Sequence, residues 1–207
     1  MQLPFTRAEF FEVFARYNVD VWPLQWVLVA TGLAAAGVLF TKSAYKERVC
    51  LALLSLLWAW MGAAYHLRYF ATINPAAIIF GLLTIVESGL LAWAAAKSEL
   101  RFEWRGASRW VGLALITYGV AVYPLLNVAL GHEFPAVPTF GLPCPTTIYT
   151  LGLLWWLRGA HVRILLVVPL LWSAVGGSAA FLLNIPQDLG LVAAAAASLA
   201  LLRLTDR

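Results

Sequence analysis

Six long apolar runs constrain this chain more than any other feature of its sequence. A helix needs about 20 predominantly apolar residues to cross the roughly 30 Å of hydrocarbon in a bilayer. The runs are 21–40, 49–70, 75–96, 110–130, 165–183 and 189–204. They predict an all-α fold, a polytopic transmembrane helix bundle in which residues 1–207 form one domain.

The composition supports this prediction and excludes three classes of protein. Hydrophobic residues make up 62% of the chain and charged residues 12%, whereas soluble domains average about 45–50% and about 25%. A single water-soluble domain, a disordered chain and a nucleic-acid binder are therefore excluded. The lipid bilayer is the first expected partner.

The basic residues predict how many times the chain crosses the membrane. If the shorter apolar segment 145–157 also crosses, the loops separate eleven basic residues from three. The larger group comprises Lys42, Lys46, Arg48, Lys97, Arg101, Arg105, Arg109, Arg158, Arg163, Arg203 and Arg207, and the smaller group Arg7, Arg16 and Arg68. Because Lys and Arg collect in cytoplasmic loops, we predict seven spans, an outer N-terminus and a cytoplasmic C-terminus.

Residues 1–20 have the pattern of an amphipathic helix on the outer surface. Thr6 and Glu9 have the spacing of a capping box. Phe10, Phe14 and Tyr17 share one face at helical spacing. The simplest interpretation is an interfacial anchor, and the alternative is a gating or docking element.

Residues 131–145 interrupt the apolar pattern with four prolines and two glycines. Interior prolines remove backbone donors and clash with the preceding turn, so this stretch is not helical. A helix restarting at Pro145 and ending at Leu157 is about 20 Å long, roughly 10 Å shorter than the hydrocarbon layer. We therefore predict a half-helix that follows a re-entrant segment and lies at the floor of an outward-facing cavity. Alternatively, residues 131–145 lie flat on the outer surface.

Three residues at the start of this half-helix are candidates for the cavity wall. Cys144 lies between two prolines at the predicted N-cap, and Thr146 and Thr147 follow it. A helix N-terminus stabilises a thiolate, which is a soft metal ligand. Alternatively, Cys144 is a small residue that fits a tight turn.

Two histidines are expected on the same outer side as Cys144. His66 ends the second span and His132 follows the fourth. Imidazoles on different helices can bind a transition metal or haem, so we include both with Cys144 as candidate metal ligands. Alternatively, they are polar groups at the membrane interface.

Other polar residues are predicted within the spans. Glu87 lies about 18 Å below the outer end of its helix, and an ionisable residue at that depth indicates an ion or proton path unless it is protonated and hydrogen-bonded. Tyr123 and Asn127, on the fourth span, either line the cavity or bond neighbouring helices.

Several short stretches are similar to those of a known family. They are LPFT at 3–6, YHL at 65–67, INPAA at 73–77 and GHEFPAVPTFGLPCPTT at 131–147. With the seven-span hydropathy, they resemble an uncharacterised family of bacterial multi-pass inner-membrane proteins, a domain of unknown function. The resemblance covers nearly the whole chain. It implies a bacterial inner (plasma) membrane location and supplies neither a substrate nor a catalytic residue.

The favoured hypothesis is that the chain binds or transports a metal ion or small solute through an outward-facing polar cavity. A membrane redox or haem protein is one alternative, and a non-catalytic subunit or assembly factor of a membrane complex is another. The sequence contains no CxxC, HExxH or GxSxG motif, which disfavours an enzyme without excluding one. The cofactor is not specified, although a transition metal would suit the candidate ligands.

Overall fold

The computed structural model describes residues 3–97 and 99–204, with side chains described as far as residue 200. The described chain is almost entirely helical. Its helices are α1 (Arg7–Asp20), α2 (Leu24–Val38), α3 (Lys46–Trp60), α4 (Ala77–Lys97), α5 (Gly106–Thr117), α6 (Tyr123–Ala129), α7 (Pro143–Leu154), α8 (Val162–Leu183) and α9 (Leu189–Leu204). The all-α prediction is therefore confirmed.

Two of these helices are extended by tighter or wider turns. Helix α3 continues through a π-helical stretch, Met61–Tyr69, and a 3₁₀ turn, Phe70–Thr72. Helices α5 and α6 are joined through a π-helical turn, Tyr118–Val122, which precedes Pro124. A proline lacks the backbone N–H that the preceding α-helical turn would use, so a change of helical pitch is expected there.

Four helical segments are long and apolar enough to cross a membrane, and they coincide with four of the predicted spans. These segments are Lys46–Thr72, Ala77–Lys97, Gly106–Ala129 and Val162–Leu183. A fifth is obtained if α1 and α2, which meet at 90°, are counted as one bent span. Helices α7 and α9 have only 12 and 16 residues.

The basic residues lie at two opposite ends of the bundle. At one end, strand β1 (Arg101–Phe102) pairs with β2 (Leu157–Arg158), and Phe102 N–H donates to Glu47 Oε1 over 3.0 Å. At the other end, Arg16 donates to Thr72 Oγ1 over 3.0 Å. Arg101 and Arg158 of the larger group thus lie at one end of the described bundle, and Arg16 of the smaller group lies at the other.

Helix α7 is the central element of the core. Every residue from Pro143 to Leu154 is buried except Cys144, which is half-buried. It packs antiparallel on α5 and on the π-helical turn that continues α5, since a Cβ on Gly119 would lie 2.7 Å from the Pro145 carbonyl oxygen and one on Gly152 would lie 2.9 Å from that of Gly112. The helices approach this closely because one partner at Gly119, and both partners at Gly112 and Gly152, are glycines.

The contacts of α7 also show how far along the bundle it begins. Pro145 lies beside Gly119, which is ten residues before the end of α6 at Ala129, or roughly 15 Å at 1.5 Å per residue. Helix α9 begins at a similar level, because Gly190 packs against the Tyr118 ring. Both short helices therefore begin well inside the end of the bundle that carries α1.

Residues 131–142, the proline-rich segment, connect the end of α6 that lies near α1 to this deeper level. A Cβ on Gly32 of α2 would lie 2.7 Å from the ring of Phe140, and Gly141 packs against Leu28. Asn18 fixes the segment from the side, since its Nδ2 donates to the carbonyl oxygens of Pro135 and Val137, each over 2.7 Å. The segment accordingly follows α2 into the bundle.

Helix α1 has the predicted cap, and its apolar face is covered by protein. Glu9 N–H donates to Thr6 Oγ1 over 3.2 Å and Thr6 N–H donates to Glu9 Oε2 over 2.7 Å, which completes the capping box. The Phe14 ring stacks on Tyr65 at 5.9 Å, and Trp60 Nε1 donates to the Tyr17 hydroxyl over 2.8 Å. The aromatic face therefore packs on the end of α3.

Candidate functional site

A cavity lies directly beneath α1, and we call it the roofed cavity. Its volume is about 110 Å³. Helix α1 covers it on one side, the end of α3 and the start of α4 form one wall, and α8 forms another. The residues that line it are Leu3, Phe5, Phe10, Phe14, Tyr65, Phe70, Asn74, Phe80, Pro138, Leu142, Pro143, Cys144, Trp172, Val175, Gly176, Ser178, Ala179 and Asp188.

The floor of the roofed cavity is its polar part. Cys144 lies in the first turn of α7, and Asp188 immediately precedes α9, so the starts of the two short helices meet here. The Tyr123 hydroxyl donates to Asp188 Oδ1 over 2.5 Å. The Cys144 thiol interacts with the same carboxyl group. The bond from Tyr123 holds this carboxyl group in place, and Asp188 is 4% exposed.

Helix α1, the roof of this cavity, is attached to the rest of the protein by polar contacts at its edges. The Tyr69 hydroxyl donates to Asp20 Oδ2 over 3.0 Å, and Arg7 Nη2 lies 3.4 Å from His132 Nε2. Desolvation, and then the Arg7 charge, lower the pKa of His132. The hydrogen bonds that Glu9 accepts from the backbone and side chain of Thr6 lower the pKa of Glu9.

The predicted metal ligands occupy three different surroundings. Cys144 lies on the cavity floor. His66 is fully buried, and its ring lies 4.9 Å from that of Trp172. His132 lies against Phe11 of α1, with ring centroids 4.6 Å apart. Within residues 3–97 and 99–204, no three His, Cys, Asp or Glu side chains are arranged to hold a metal ion.

The remaining predicted cavity residues lie around the roofed cavity and do not line it. Thr146 Oγ1 accepts a hydrogen bond from Gly141 N–H over 3.1 Å, and Thr147 is buried beside it. Asn127 accepts from Gln187 Nε2 over 2.8 Å. Tyr123 contributes through its bond to Asp188. For Tyr123 and Asn127, the structure shows bonds to neighbouring elements, which was one of the two alternatives.

Glu87 is buried in α4, away from the roofed cavity. Its neighbour Ser88 exchanges hydrogen bonds with Ser55 of α3 over 2.8–3.1 Å, which fixes the register of these two helices. Neither carboxyl oxygen of Glu87 has a hydrogen-bond partner in the part of the chain that the structure describes. Glu87 therefore does not belong to the floor formed by Cys144 and Asp188.

The sequence predicted Cys144 as the N-cap of α7, whereas the observed N-cap lies two residues earlier. It did not identify Asp188 as a site residue. The N-cap of α7 is Leu142, because the helix begins at Pro143, and a proline is favoured at the first helical position. The available signal for Asp188 was a carboxylate immediately before an apolar run, Leu189–Leu204.

A second, larger cavity of about 480 Å³ lies between α2 and α6, with the proline-rich segment as its third wall. Asn127 and His132 line it, together with the exposed apolar side chains of Trp22, Trp26 and Phe134. The roofed cavity is the better candidate site because it combines apolar walls with an enclosed carboxyl group and thiol.

The comparisons with known proteins give one match. The model of a Family of unknown function (DUF6064) matches residues 7–207. No curated protein and no solved structure matches the chain.

Proposed function

We propose that this chain, which belongs to the DUF6064 family of unknown function, is a multi-pass membrane protein that binds a small organic solute in the roofed cavity. The solute enters from the outer side, where α1 lies, and is bound there for uptake or for sensing. The single observation that carries the proposal is the polar floor of Cys144 and Asp188 beneath apolar walls. A ligand site usually combines these two features.

The proposed membrane topology has seven passes, from α2 to α9, with α5 and α6 as one pass. The antiparallel order of the helices supports it, as does the separation of Lys46 and Arg101 from Arg7 and Arg16 at opposite ends. By the positive-inside rule the end with Arg101 is cytoplasmic. In this topology the proline-rich segment re-enters the membrane and is covered by protein, as irregular backbone must be. The location proposed is a bacterial inner membrane.

An organic solute suits the cavity better than a metal ion does. A transition-metal site normally needs three or four ligands from His, Cys, Asp or Glu. The floor offers a thiol and a carboxyl group, which is fewer than three ligands, and the remaining walls are mostly aromatic and aliphatic. The volume of about 110 Å³ is about three quarters of the roughly 150 Å³ of a cavity that holds benzene.

The experiment uses Cys144 as a reporter of the cavity. The protein carries Cys50→Ala, which removes the fully buried second cysteine, and is placed in lipid nanodiscs. Intact mass then follows modification by methyl methanethiosulfonate, a small neutral reagent, and by a bulky maleimide. We expect the small reagent to react readily and the bulky one slowly. Equal rates would place Cys144 at an open surface and overturn the proposal.

Two variants of α8 test whether the cavity is the route to Cys144. Val175 lines the cavity and is 38% exposed, whereas Val167 lies on the same helix, is 49% exposed and does not line it. Val175→Trp should slow modification of Cys144 severalfold, and Val167→Trp should leave the rate unchanged. Equal rates in the two variants would contradict the assignment. Binding of zinc that is lost in Cys144→Ser would instead support the metal hypothesis.

A further inference from the structure

The walls of the roofed cavity are unusually rich in aromatic rings. Seven aromatic side chains line it, namely Phe5, Phe10, Phe14, Tyr65, Phe70, Phe80 and Trp172. They come from four parts of the chain: the stretch leading into α1 together with α1, the end of α3, α4, and α8. The negative face of an aromatic ring attracts a cation, and most strongly in a desolvated site.

The acidic side chain at the cavity and the faces of its aromatic rings both present negative potential. Asp188 is the one Asp or Glu among the described residues that line it, and none of those lining residues is Lys, Arg or His. An anionic solute would approach this carboxylate without a compensating cation. A cationic solute gains attraction from both the carboxylate and the rings.

The helix starts at the floor do not reverse this preference. A helix N-terminus attracts anions through its free N–H groups. In the first turn of α7, however, Pro143 and Pro145 have no N–H, and Thr146 N–H already donates to the Leu142 carbonyl oxygen over 3.2 Å. The start of α9 directly follows Asp188, so this N-terminus lies next to a residue that already carries a carboxylate.

We infer that the roofed cavity recognises a small organic ammonium ion, whose charged nitrogen pairs with Asp188 and whose alkyl groups contact the aromatic walls. This inference rests on the proposed function and names its substrate class. The cavity volume of about 110 Å³ suits a solute of about five non-hydrogen atoms, by comparison with benzene in a cavity of roughly 150 Å³. An alkylamine of that size is protonated at neutral pH, as the Lys side chain is.

The test measures how well matched probes protect Cys144 from methyl methanethiosulfonate. The probes are n-butylamine, 1-butanol and propionate, which are similar in size and differ in charge, and the ionic strength is kept constant with sodium chloride. We expect half-protection by n-butylamine at a concentration about tenfold lower than by 1-butanol. Propionate should protect least.

Three variants identify the groups responsible. Asp188→Asn should remove the advantage of n-butylamine over 1-butanol, and Glu12→Gln, at an exposed carboxyl group on α1, should not. Because Asp188 also bonds Tyr123, protection is expressed within each variant as the ratio of rates with and without probe. If Asp188→Asn fails to fold, Phe80→Leu replaces it, and should weaken protection by n-butylamine more than protection by 1-butanol.

The outcomes separate the two proposals. If n-butylamine and 1-butanol protect equally, or if propionate protects best, the ammonium inference is wrong while solute binding stands. If none of the three probes protects Cys144 although the small reagent reaches it, solute binding itself is overturned.

Discussion

The contact between α7 and the π-helical turn that continues α5 provides the sharpest test of the packing. Gly119→Ala would place a methyl group 2.7 Å from the Pro145 carbonyl oxygen and 3.1–3.2 Å from Cβ and N of Tyr149. Two of these three atoms belong to the backbone of a buried helix, so the helices must move apart. Overpacking of this kind costs about 1–3 kcal/mol. The better helix propensity of alanine returns about 0.5–1 kcal/mol.

Gly89→Ala is the matched control for this substitution. Gly89 lies on the exposed side of α4, and a Cβ there would have no other atom within 4 Å. Gly89→Ala therefore gains the higher helix propensity of alanine without a steric clash. The two variants should differ in free energy of unfolding by about 1–3 kcal/mol. Thermal unfolding in nanodiscs, followed by tryptophan fluorescence, measures the difference. A Gly119→Ala protein as stable as the Gly89→Ala protein would refute the close approach of α5 and α7.

Three other predictions follow from the polar contacts. Asn18→Ala removes three side-chain hydrogen bonds to the proline-rich segment and should lower the free energy of unfolding by about 2–4 kcal/mol; an unchanged denaturant midpoint would contradict this. Desolvation and Arg7 lower the pKa of His132, so protonation of His132 disfavours the packing of α1 over the cavity. The free energy of unfolding should therefore fall as pH drops below about 6.5, and His132→Gln should remove that pH dependence. Glu87→Leu replaces a buried carboxyl group without a partner among the described residues, and should raise the free energy of unfolding by about 1–3 kcal/mol. A lower free energy of unfolding would indicate a bound ion or proton path at Glu87.

Much of the fold could be predicted because it depends on local pattern. The length of the apolar runs located Ala77–Lys97 and Val162–Leu183 to within three residues. The capping box of α1 could be predicted from Thr6 and Glu9, which are three residues apart and need no tertiary context. The two groups of basic residues followed from the alternation of helices and loops.

The site depends on contacts between distant residues, and it could be predicted only in part. The proline-rich segment indicated where the helical pattern breaks, and Cys144 was identified from its prolines. The bond between Tyr123 and Asp188 joins residues 65 positions apart, so neither residue gives local evidence of it. The amphipathic pattern of α1 likewise shows that one face must be covered, and does not specify whether lipid or protein covers it.

The short, buried helix α7 has a consequence for how the protein is made. Twelve residues are too few to partition into a bilayer as an independent segment. In the proposed seven-pass topology, the translocation machinery therefore cannot select α7 alone, and the helix must enter together with α8, to which a short turn through Leu157 and Arg158 connects it. That turn pairs with Arg101 and Phe102, which are synthesised about 55 residues earlier and lie at the cytoplasmic end in the proposed topology. Assembly of the roofed cavity is then a late event, which completes only after the helices that enclose it have been inserted.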